Sequence, residues 1–278
     1  MPSPRNYLTR LAGFALSLAP AQAAAAAAKY LVVFGDSYSA TSSWIGGAAP
    51  SAANPLGNPA FPGQTTSGGL NWVGQAVARR NTSLVLAYDL AVVGATTDRD
   101  IVDTYAQYNF DDQVETLFAT YLGGGGQAPW TSAAGVLVAV WCGINDVGGA
   151  FLGRGTLYAE GLRNYVLFTI PPFDRAPAII DQPADRVASL RSDIKAYNAA
   201  LAGRLAAFGA AHGDATTALF DTAPTFGAVL DDPTAYGAPD ATCVNGDGRS
   251  CLWVDTYHPG LAVHERLAET LVEAVDFF

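Results

Sequence analysis

Three apolar runs along the chain end one or two residues before a glycine, and polar residues follow each of them. The runs cover residues 31–34, 90–93 and 136–141 and are rich in Val and Leu. Short apolar runs bounded by turn residues indicate buried β-strands. Open α/β sheets place ligands and chemistry at the carboxyl ends of their strands. The pattern therefore predicts a functional site where these three strands end.

Apolar residues spaced three or four positions apart predict helices between the strands. The spacing is clearest over residues 185–211, and shorter stretches repeat it at 70–80, 111–121, 222–230 and 261–275. Two further apolar runs predict strands at 165–170 and 217–220. Strands that alternate with helices predict a mostly parallel sheet with helices on both faces, which is an α/β fold.

Ser37 follows the first predicted strand in the order Gly-Asp-Ser and is a candidate nucleophile. A serine hydroxyl attacks a carbonyl efficiently only when a neighbouring base takes its proton. The alternative is a turn serine, because Gly, Asp and Ser are all common turn residues. The choice between the two depends on whether the chain supplies a base.

His258 is the candidate base, and Asp255 stands three residues before it. A carboxylate beside an imidazole selects its tautomer and stabilises the imidazolium that forms during catalysis. The spacing lets one loop deliver both groups, and a helix cap is the alternative role for Asp255. The other two histidines, His212 and His264, lie at a helix end and within a helical run, where structural roles are expected.

Asn145 and Gly94 follow the other two apolar runs. The Asn145 side-chain amide and the Gly94 backbone N–H are the kinds of donor that stabilise a developing oxyanion. Ordinary turn roles are the alternative for both residues. Together with Ser37 and His258, they place one candidate catalytic group in each of four separate blocks of the sequence.

The order and the residues of these four blocks resemble those of the GDSL, or SGNH, hydrolases. The matching segments are Gly35-Asp36-Ser37, Gly94, Gly143-Ile144-Asn145-Asp146 and Asp255-Thr256-Tyr257-His258. Residues 54–59, 66–73 and 94–98 are similar to the secreted fungal acetylesterases of carbohydrate esterase family sixteen. The chain departs from the wider family at three positions. Tyr38 stands where the family often has Leu, and Val93 stands where it often has Gly. Cys142 stands where a small or aliphatic residue is expected.

The resemblance implies a flavodoxin-like three-layer α/β/α sandwich and a Ser-His-Asp esterase. Ser37, His258 and Asp255 would be catalytic, and the oxyanion hole would combine Ser37, Gly94 and Asn145. The implied substrates are short-chain acetyl esters, small or on hemicellulose-derived oligosaccharides, and no cofactor is implied. Two alternatives stay open: a lipase or phospholipase of the same family, and a non-catalytic carbohydrate-binding relative.

The N-terminal 23 residues have the pattern of a secretory signal peptide. Arg5 and Arg10 precede an apolar run over residues 11–19, and Ala21-Gln22-Ala23 matches a cleavage site, although the alanine tract leaves the cut open up to residue 28. A membrane anchor is the alternative, but Pro20 and Gln22 interrupt the run. We therefore predict an extracellular protein in which residues 24–278 form one domain, without stable membrane association.

The 278-residue chain carries a net charge of −10, which disfavours nucleic acid as a partner because nucleic acids are bound through Lys and Arg. Oligomeric state is left open.

Cys243 and Cys251 are predicted to form a disulfide, and Cys142 is predicted to be a buried free thiol. Residues 245–248 are predicted to form a turn. A calcium loop is the alternative, but the spacing of acidic residues found in EF-hand loops is absent, so no metal site is predicted. Asn81 begins an N-glycosylation sequon.

Overall fold

The computed structural model describes residues 28–124, 128–146 and 156–278 of the chain. Within these residues, five strands form a single sheet, and all neighbouring strands are parallel. The strands are β1 Lys29–Gly35, β2 Val85–Asp89, β3 Val136–Trp141, β4 Asn164–Phe168 and β5 Thr216–Phe220. Their order across the sheet is β2-β1-β3-β4-β5. β1 and β3 are therefore central, and the loops that follow them leave the same edge.

Helices cover both faces of the sheet. They are α1 Trp72–Ala78, α2 Phe110–Asp112, α3 Ala119–Tyr121, α4 Thr156–Ala159, α5 Pro177–Ile180, α6 Ala184–Ala211, α7 Ala223–Asp231 and α8 Leu261–Ala274. A π-helical turn, Gln113–Phe118, joins α2 to α3. α1, α7 and α8 pack together on one face, where Trp72 of α1 lies against Phe168 of β4.

The opposite face carries the helical segment of residues 110–121 together with α4 and α6. Phe34 of β1 packs against Phe110 and Phe118, and Tyr165 of β4 packs against Phe208 of α6. Alternate residues of a strand point to opposite faces. The fully buried strand residues therefore supply two apolar cores, one on each side of the sheet. The predicted three-layer α/β fold is confirmed.

The strand predicted over residues 90–93 is not formed, although its backbone still reaches β1. The N–H groups of Leu90 and Val92 donate to the carbonyls of Val33 and Gly35 at 2.8 and 3.0 Å. These contacts extend the β1–β2 pairing past the end of β2 at Asp89 without regular strand geometry. They bring the chain that precedes Gly94 beside the turn that carries Ser37.

The leader predicted over residues 1–23 lies outside the described residues, so it stays a prediction. Among the residues that are described, no helix is long and apolar enough to cross a membrane. Cys243 and Cys251 are joined in a disulfide, with their Cα atoms 5.1 Å apart. Asn81 lies between α1 and β2 and is partly exposed.

Candidate active site

Ser37, His258 and Asp255 form one continuous line of hydrogen bonds. His258 Nε2 lies 3.0 Å from Ser37 Oγ, and His258 Nδ1 lies 2.7 Å from Asp255 Oδ2. Because Asp255 accepts from Nδ1–H, the Nε2 lone pair is directed at the serine hydroxyl. Ser37 is 221 positions away in sequence, yet the turn after β1 brings it within hydrogen-bonding distance of the imidazole. The three residues predicted as a triad are thus assembled.

The second oxygen of Asp255 shapes the loop that carries the histidine. Oδ1 accepts the backbone N–H groups of Tyr257 and His258 at 2.7 and 2.8 Å. Partial burial acts to raise the pKa of Asp255. The hydrogen bonds from the His258 ring and from the two backbone groups outweigh this effect, so its pKa lies below the usual value. Asp255 is therefore a carboxylate wherever the protein is used near neutral pH.

Backbone contacts close residues 252–260 into a narrow loop. The Val254 N–H donates to the His258 carbonyl at 2.8 Å, and the Gly260 N–H donates to the Leu252 carbonyl at 2.7 Å. On the preceding side, Asn245 donates its N–H to the Trp253 carbonyl at 2.9 Å, next to the Cys243–Cys251 disulfide. The His258 loop is thus held at its base by backbone hydrogen bonds and by a covalent link.

Tyr38, the residue after the candidate nucleophile, also contacts this loop. Its hydroxyl donates to the Tyr257 carbonyl at 2.7 Å, and its ring centroid lies 6.0 Å from that of His258. The ring is fully buried and packs edge-on against Trp141 at the end of β3. Tyr38 therefore connects the Ser37 turn directly to the His258 loop. The sequence marked it only as a departure from the usual Leu.

The loops that hold Gly94 and Asn145 are joined to each other. The Asn145 side-chain amide donates to the Ala95 carbonyl at 2.8 Å. Asp146 Oδ1 accepts both the N–H and the hydroxyl of Thr97, at 2.7 and 2.5 Å. Gly94 and Asn145 are therefore neighbours at the carboxyl edge of the sheet. Val92, which bonds to the Gly35 carbonyl, brings both toward the Ser37 turn.

Replacement of Gly94 by another residue would strain the backbone at this edge. Its φ of +77° is one that other residues rarely adopt. A Cβ atom there would lie 2.6 Å from the Tyr105 ring. Tyr105, which sequence reasoning did not single out, is 84% exposed and lies directly against the candidate oxyanion glycine. The feature that distinguishes Tyr105 is its unusually high exposure, which is visible only in the folded structure.

Two carboxyl groups are buried beside the candidate nucleophile. Burial raises the pKa of Asp36 to about 7; the Tyr38 N–H lowers it, and the nearby Asp146 raises it further. Burial likewise raises the pKa of Asp146, against the lowering effect of its hydrogen bonds from Thr97. Asp146 Oδ2 is buried, and none of the described residues donates a hydrogen bond to it. The Ser37 turn thus rests on a weakly solvated acidic pair.

The remaining candidate groups lie away from the line of hydrogen bonds. His264 is fully buried and accepts from the Trp72 N–H at 3.3 Å, and burial lowers its pKa to about 3. Cys142 is a buried free thiol whose pKa burial raises well above its usual value. Within the described ranges, no group of three or more His, Cys, Asp or Glu side chains is arranged to hold a metal ion.

A known enzyme resembles the chain over nearly its whole length. It is an acetylesterase from Thermothelomyces thermophilus, 42% identical over 283 aligned residues, which cover 94% of this chain and 93% of the relative. The chain belongs to this acetylesterase family. It is accordingly a carboxylic ester hydrolase, and the resemblance expected from the sequence blocks is confirmed. None of the models of known protein families matches the sequence.

Solved structures similar to this acetylesterase family member are more distant. One is a variant of an acetyl xylan esterase from Geobacillus stearothermophilus, 17% identical, with a TM-score of 0.46 over 90% of this chain and 95% of that one. A second variant, described as an acetyl-xylooligosaccharide esterase, is 18% identical with a TM-score of 0.47 over the same shares.

Proposed function

We propose that the chain is a secreted serine esterase that removes acetyl groups from hemicellulose-derived oligosaccharides. The observation that carries this proposal is the unbroken line from Ser37 Oγ through both ring nitrogens of His258 to Asp255. The 42% identity to an acetylesterase supports the acetyl preference. Serine attack on an ester carbonyl is the chemistry for which such an arrangement is suited.

In the acylation step, Ser37 Oγ attacks the ester carbonyl carbon while His258 Nε2 takes the hydroxyl proton. The carbonyl oxygen becomes an oxyanion, which the backbone N–H groups of Ser37 and Gly94 and the Asn145 amide would bind. Collapse of this intermediate breaks the bond to the sugar oxygen, which takes the proton from His258 and leaves as an alcohol. The acetyl group stays on Ser37.

In the deacylation step, water replaces the sugar. His258 takes a proton from the water as it attacks the acetyl carbonyl, and the same donors hold the second oxyanion. The ester bond to Ser37 then breaks, Ser37 regains the proton from His258, and acetate is released. Asp255 stabilises the imidazolium in both steps. His258 must be neutral at the start of each step, so that Nε2 can accept a proton.

The test is hydrolysis of 4-nitrophenyl esters from acetate to octanoate and longer. We expect the protein to cleave the acetate fastest and Ser37→Ala to lose at least about 10³-fold in kcat. Ser51→Ala, at an exposed serine of the loop that follows β1, is the matched control and should keep full activity. A preference for long chains would favour the lipase alternative. Equal rates for Ser37→Ala and the unmodified protein would reject Ser37 as the nucleophile.

Secretion and glycosylation belong to the same proposal. The Cys243–Cys251 disulfide supports an oxidising compartment, where such bonds persist. The partly exposed Asn81 is open to attachment of a glycan. Protein recovered from the culture medium of a eukaryotic host should begin between residues 24 and 29 and lose mass on endoglycosidase treatment. Asn81→Gln should abolish that mass loss, and protein that stays inside the cells with its leader intact would contradict secretion.

A further inference from the structure

A cavity of about 280 Å³ lies at the end of β2, between the segment that follows the Ser37 turn and the segment that precedes Gly94. One of its sides is the segment of residues 40–45, which follows the Ser37 turn, and another is residues 89–93, which precede Gly94. The cavity therefore begins three residues after the candidate nucleophile and one residue before a candidate oxyanion donor. Its volume is near the lower end of the range for pockets that bind small molecules.

The lining of this cavity combines aromatic and neutral polar residues with one carboxyl, Asp89, and with the aliphatic residues Ala40, Ile45, Leu90, Ala91, Val92, Val93 and Leu117. Trp44 and Tyr108 contribute rings, while Ser42, Ser43 and Gln107 contribute hydroxyl and amide groups. Trp44 keeps 46% of its surface exposed although it contacts the Tyr121 ring at 5.8 Å. Among the lining residues that the structure describes, none is Lys or Arg. Rings beside neutral hydrogen-bonding groups suit an uncharged polyhydroxylated ligand.

Hydrogen bonds hold the Trp44 segment in place before any ligand arrives. The Asn58 side chain accepts from the Trp44 N–H at 3.0 Å and donates to the carbonyls of Trp44 and Ala48 at 3.0 and 2.9 Å. Thr41 donates its N–H and its hydroxyl to Asp89 at 2.7 and 2.6 Å. A site that is already ordered loses less conformational entropy when it binds.

We propose that this cavity is a subsite for a neutral sugar unit of the substrate, adjacent to the unit whose acetyl ester reaches Ser37. The proposal rests on the proposed function and adds the part of the substrate that confers specificity. Trp44 packs against the sugar ring, and Ser42, Ser43 and Gln107 bond its hydroxyl groups. The subsite favours acetylated oligosaccharides over acetylated single sugars and over simple esters.

Neither a long acyl chain nor an anionic sugar fits this lining as well. An acyl chain would contact the aliphatic residues of the lining, but it would leave the hydroxyl and amide groups of Ser42, Ser43 and Gln107 without partners, which is unfavourable once water is excluded. An anion would meet no cation among the described lining residues and would approach a protein of net charge −10. The buried Asp89 carboxyl, which accepts from Thr41 and Ala91, adds to this repulsion when it is ionised.

The first test compares kcat/KM for an acetylated xylotriose with kcat/KM for 4-nitrophenyl acetate. We expect Trp44→Ala to lower the ratio of the two by roughly 5- to 10-fold, the effect of one aromatic contact, mainly through KM for the oligosaccharide. Trp44→Phe, which keeps a ring, should retain most of the ratio. Trp130→Ala, at a tryptophan that packs against Tyr30 and Tyr88, is the matched control and should leave the ratio unchanged.

The second test measures binding without turnover. Ser37→Ala protein should bind unacetylated xylotriose in calorimetry, and Ser43→Phe, which places a ring in the cavity, should weaken that binding. An unchanged ratio for Trp44→Ala, or a selective loss on octanoate, would overturn the sugar subsite while leaving the esterase intact. Ester hydrolysis that does not depend on Ser37 would instead reject the proposed function.

Discussion

The two carboxylate oxygens of Asp255 perform separate tasks, and this separation can be tested. Oδ2 accepts from the His258 ring, while Oδ1 accepts two backbone N–H groups of the loop. An asparagine can preserve the second set of contacts with its carbonyl oxygen. Its NH₂ group would then face Nδ1, which must give up its proton in order to accept, so the proton moves to Nε2. The Ser37 hydroxyl would lose its base while the loop kept its shape.

We therefore expect Asp255→Asn to lower kcat on 4-nitrophenyl acetate by about 10³- to 10⁴-fold. The melting temperature should change little, because the loop contacts remain. Asp240→Asn, at an exposed aspartate that accepts from Thr242 and Cys243, serves as the control for a lost surface charge. If Asp255→Asn keeps more than a tenth of the activity, Asp255 does not orient the base.

Tyr38 illustrates what residue-scale reasoning from sequence can and cannot provide. Ser37 and His258 could be proposed from the sequence because nucleophile and base chemistry restricts the residue types and the chain contains three histidines. The contact between the Tyr38 hydroxyl and the Tyr257 carbonyl joins residues 219 positions apart, and no local pattern encodes it. The same holds for Tyr105, whose position against Gly94 depends on how two loops fold together.

Removal of the Tyr38 hydroxyl should loosen the His258 loop without creating a cavity in the core, because phenylalanine keeps the ring. We expect Tyr38→Phe to lower kcat about 10-fold, as the distance between His258 Nε2 and Ser37 Oγ becomes less well defined. KM should remain near its original value, because the hydroxyl that is removed bonds to the Tyr257 carbonyl. Tyr30→Phe removes a weak contact to Pro129 and should have no effect. An unaltered kcat for Tyr38→Phe would show that the loop needs no such support.

At the scale of elements, strands were the most predictable feature and loop connections the least. Buried strands such as β3 form continuous apolar runs, so their position is visible in the sequence. Residues 90–93 have the same composition but lie beyond the regular part of the sheet, where backbone contacts alone continue. The π-helical turn at Gln113–Phe118 has the apolar spacing of an ordinary helix and was predicted as one.

The disulfide lies next to the loop that carries His258. Cys243 and Cys251 close a short loop immediately before residues 252–260. Loop-entropy arguments assign about 2–3 kcal/mol of stability to a link of this length. The double variant Cys243→Ser/Cys251→Ser should lose about that much free energy of unfolding in denaturant titrations. Because the link lies next to the His258 loop, kcat should also fall at temperatures where the protein is still folded.

Cys142→Ser is the comparison for that experiment. It removes a buried thiol at the end of β3 without opening the loop. Its cost should appear in the free energy of unfolding, with kcat less affected than in the double variant. If the double variant keeps full kcat, the disulfide serves stability alone.

At the scale of the whole molecule, buried carboxyl groups give stability an unusual dependence on pH. Asp36 has a pKa raised to about 7 in the folded protein, while an unfolded chain would release the same proton near its ordinary value of 3.8. Between about pH 4 and pH 7 the folded state therefore binds more protons than the unfolded state. This contribution is fully present below pH 4 and is lost as the pH rises through 7.

Asp36→Asn separates the contribution of Asp36 to the pH dependence of stability from that of the surface carboxylates. The asparagine is neutral at every pH and can still accept the Tyr38 N–H, so it reproduces the protonated side chain. The free energy of unfolding of the variant, minus that of the unmodified protein, should increase from pH 4 to pH 8 by up to about 4 kcal/mol. Surface carboxylates affect both proteins equally and cancel in this difference. If the free energies of unfolding of the two proteins change in parallel over this range, Asp36 ionises with its ordinary pKa, and its burial beside Asp146 does not retain the proton.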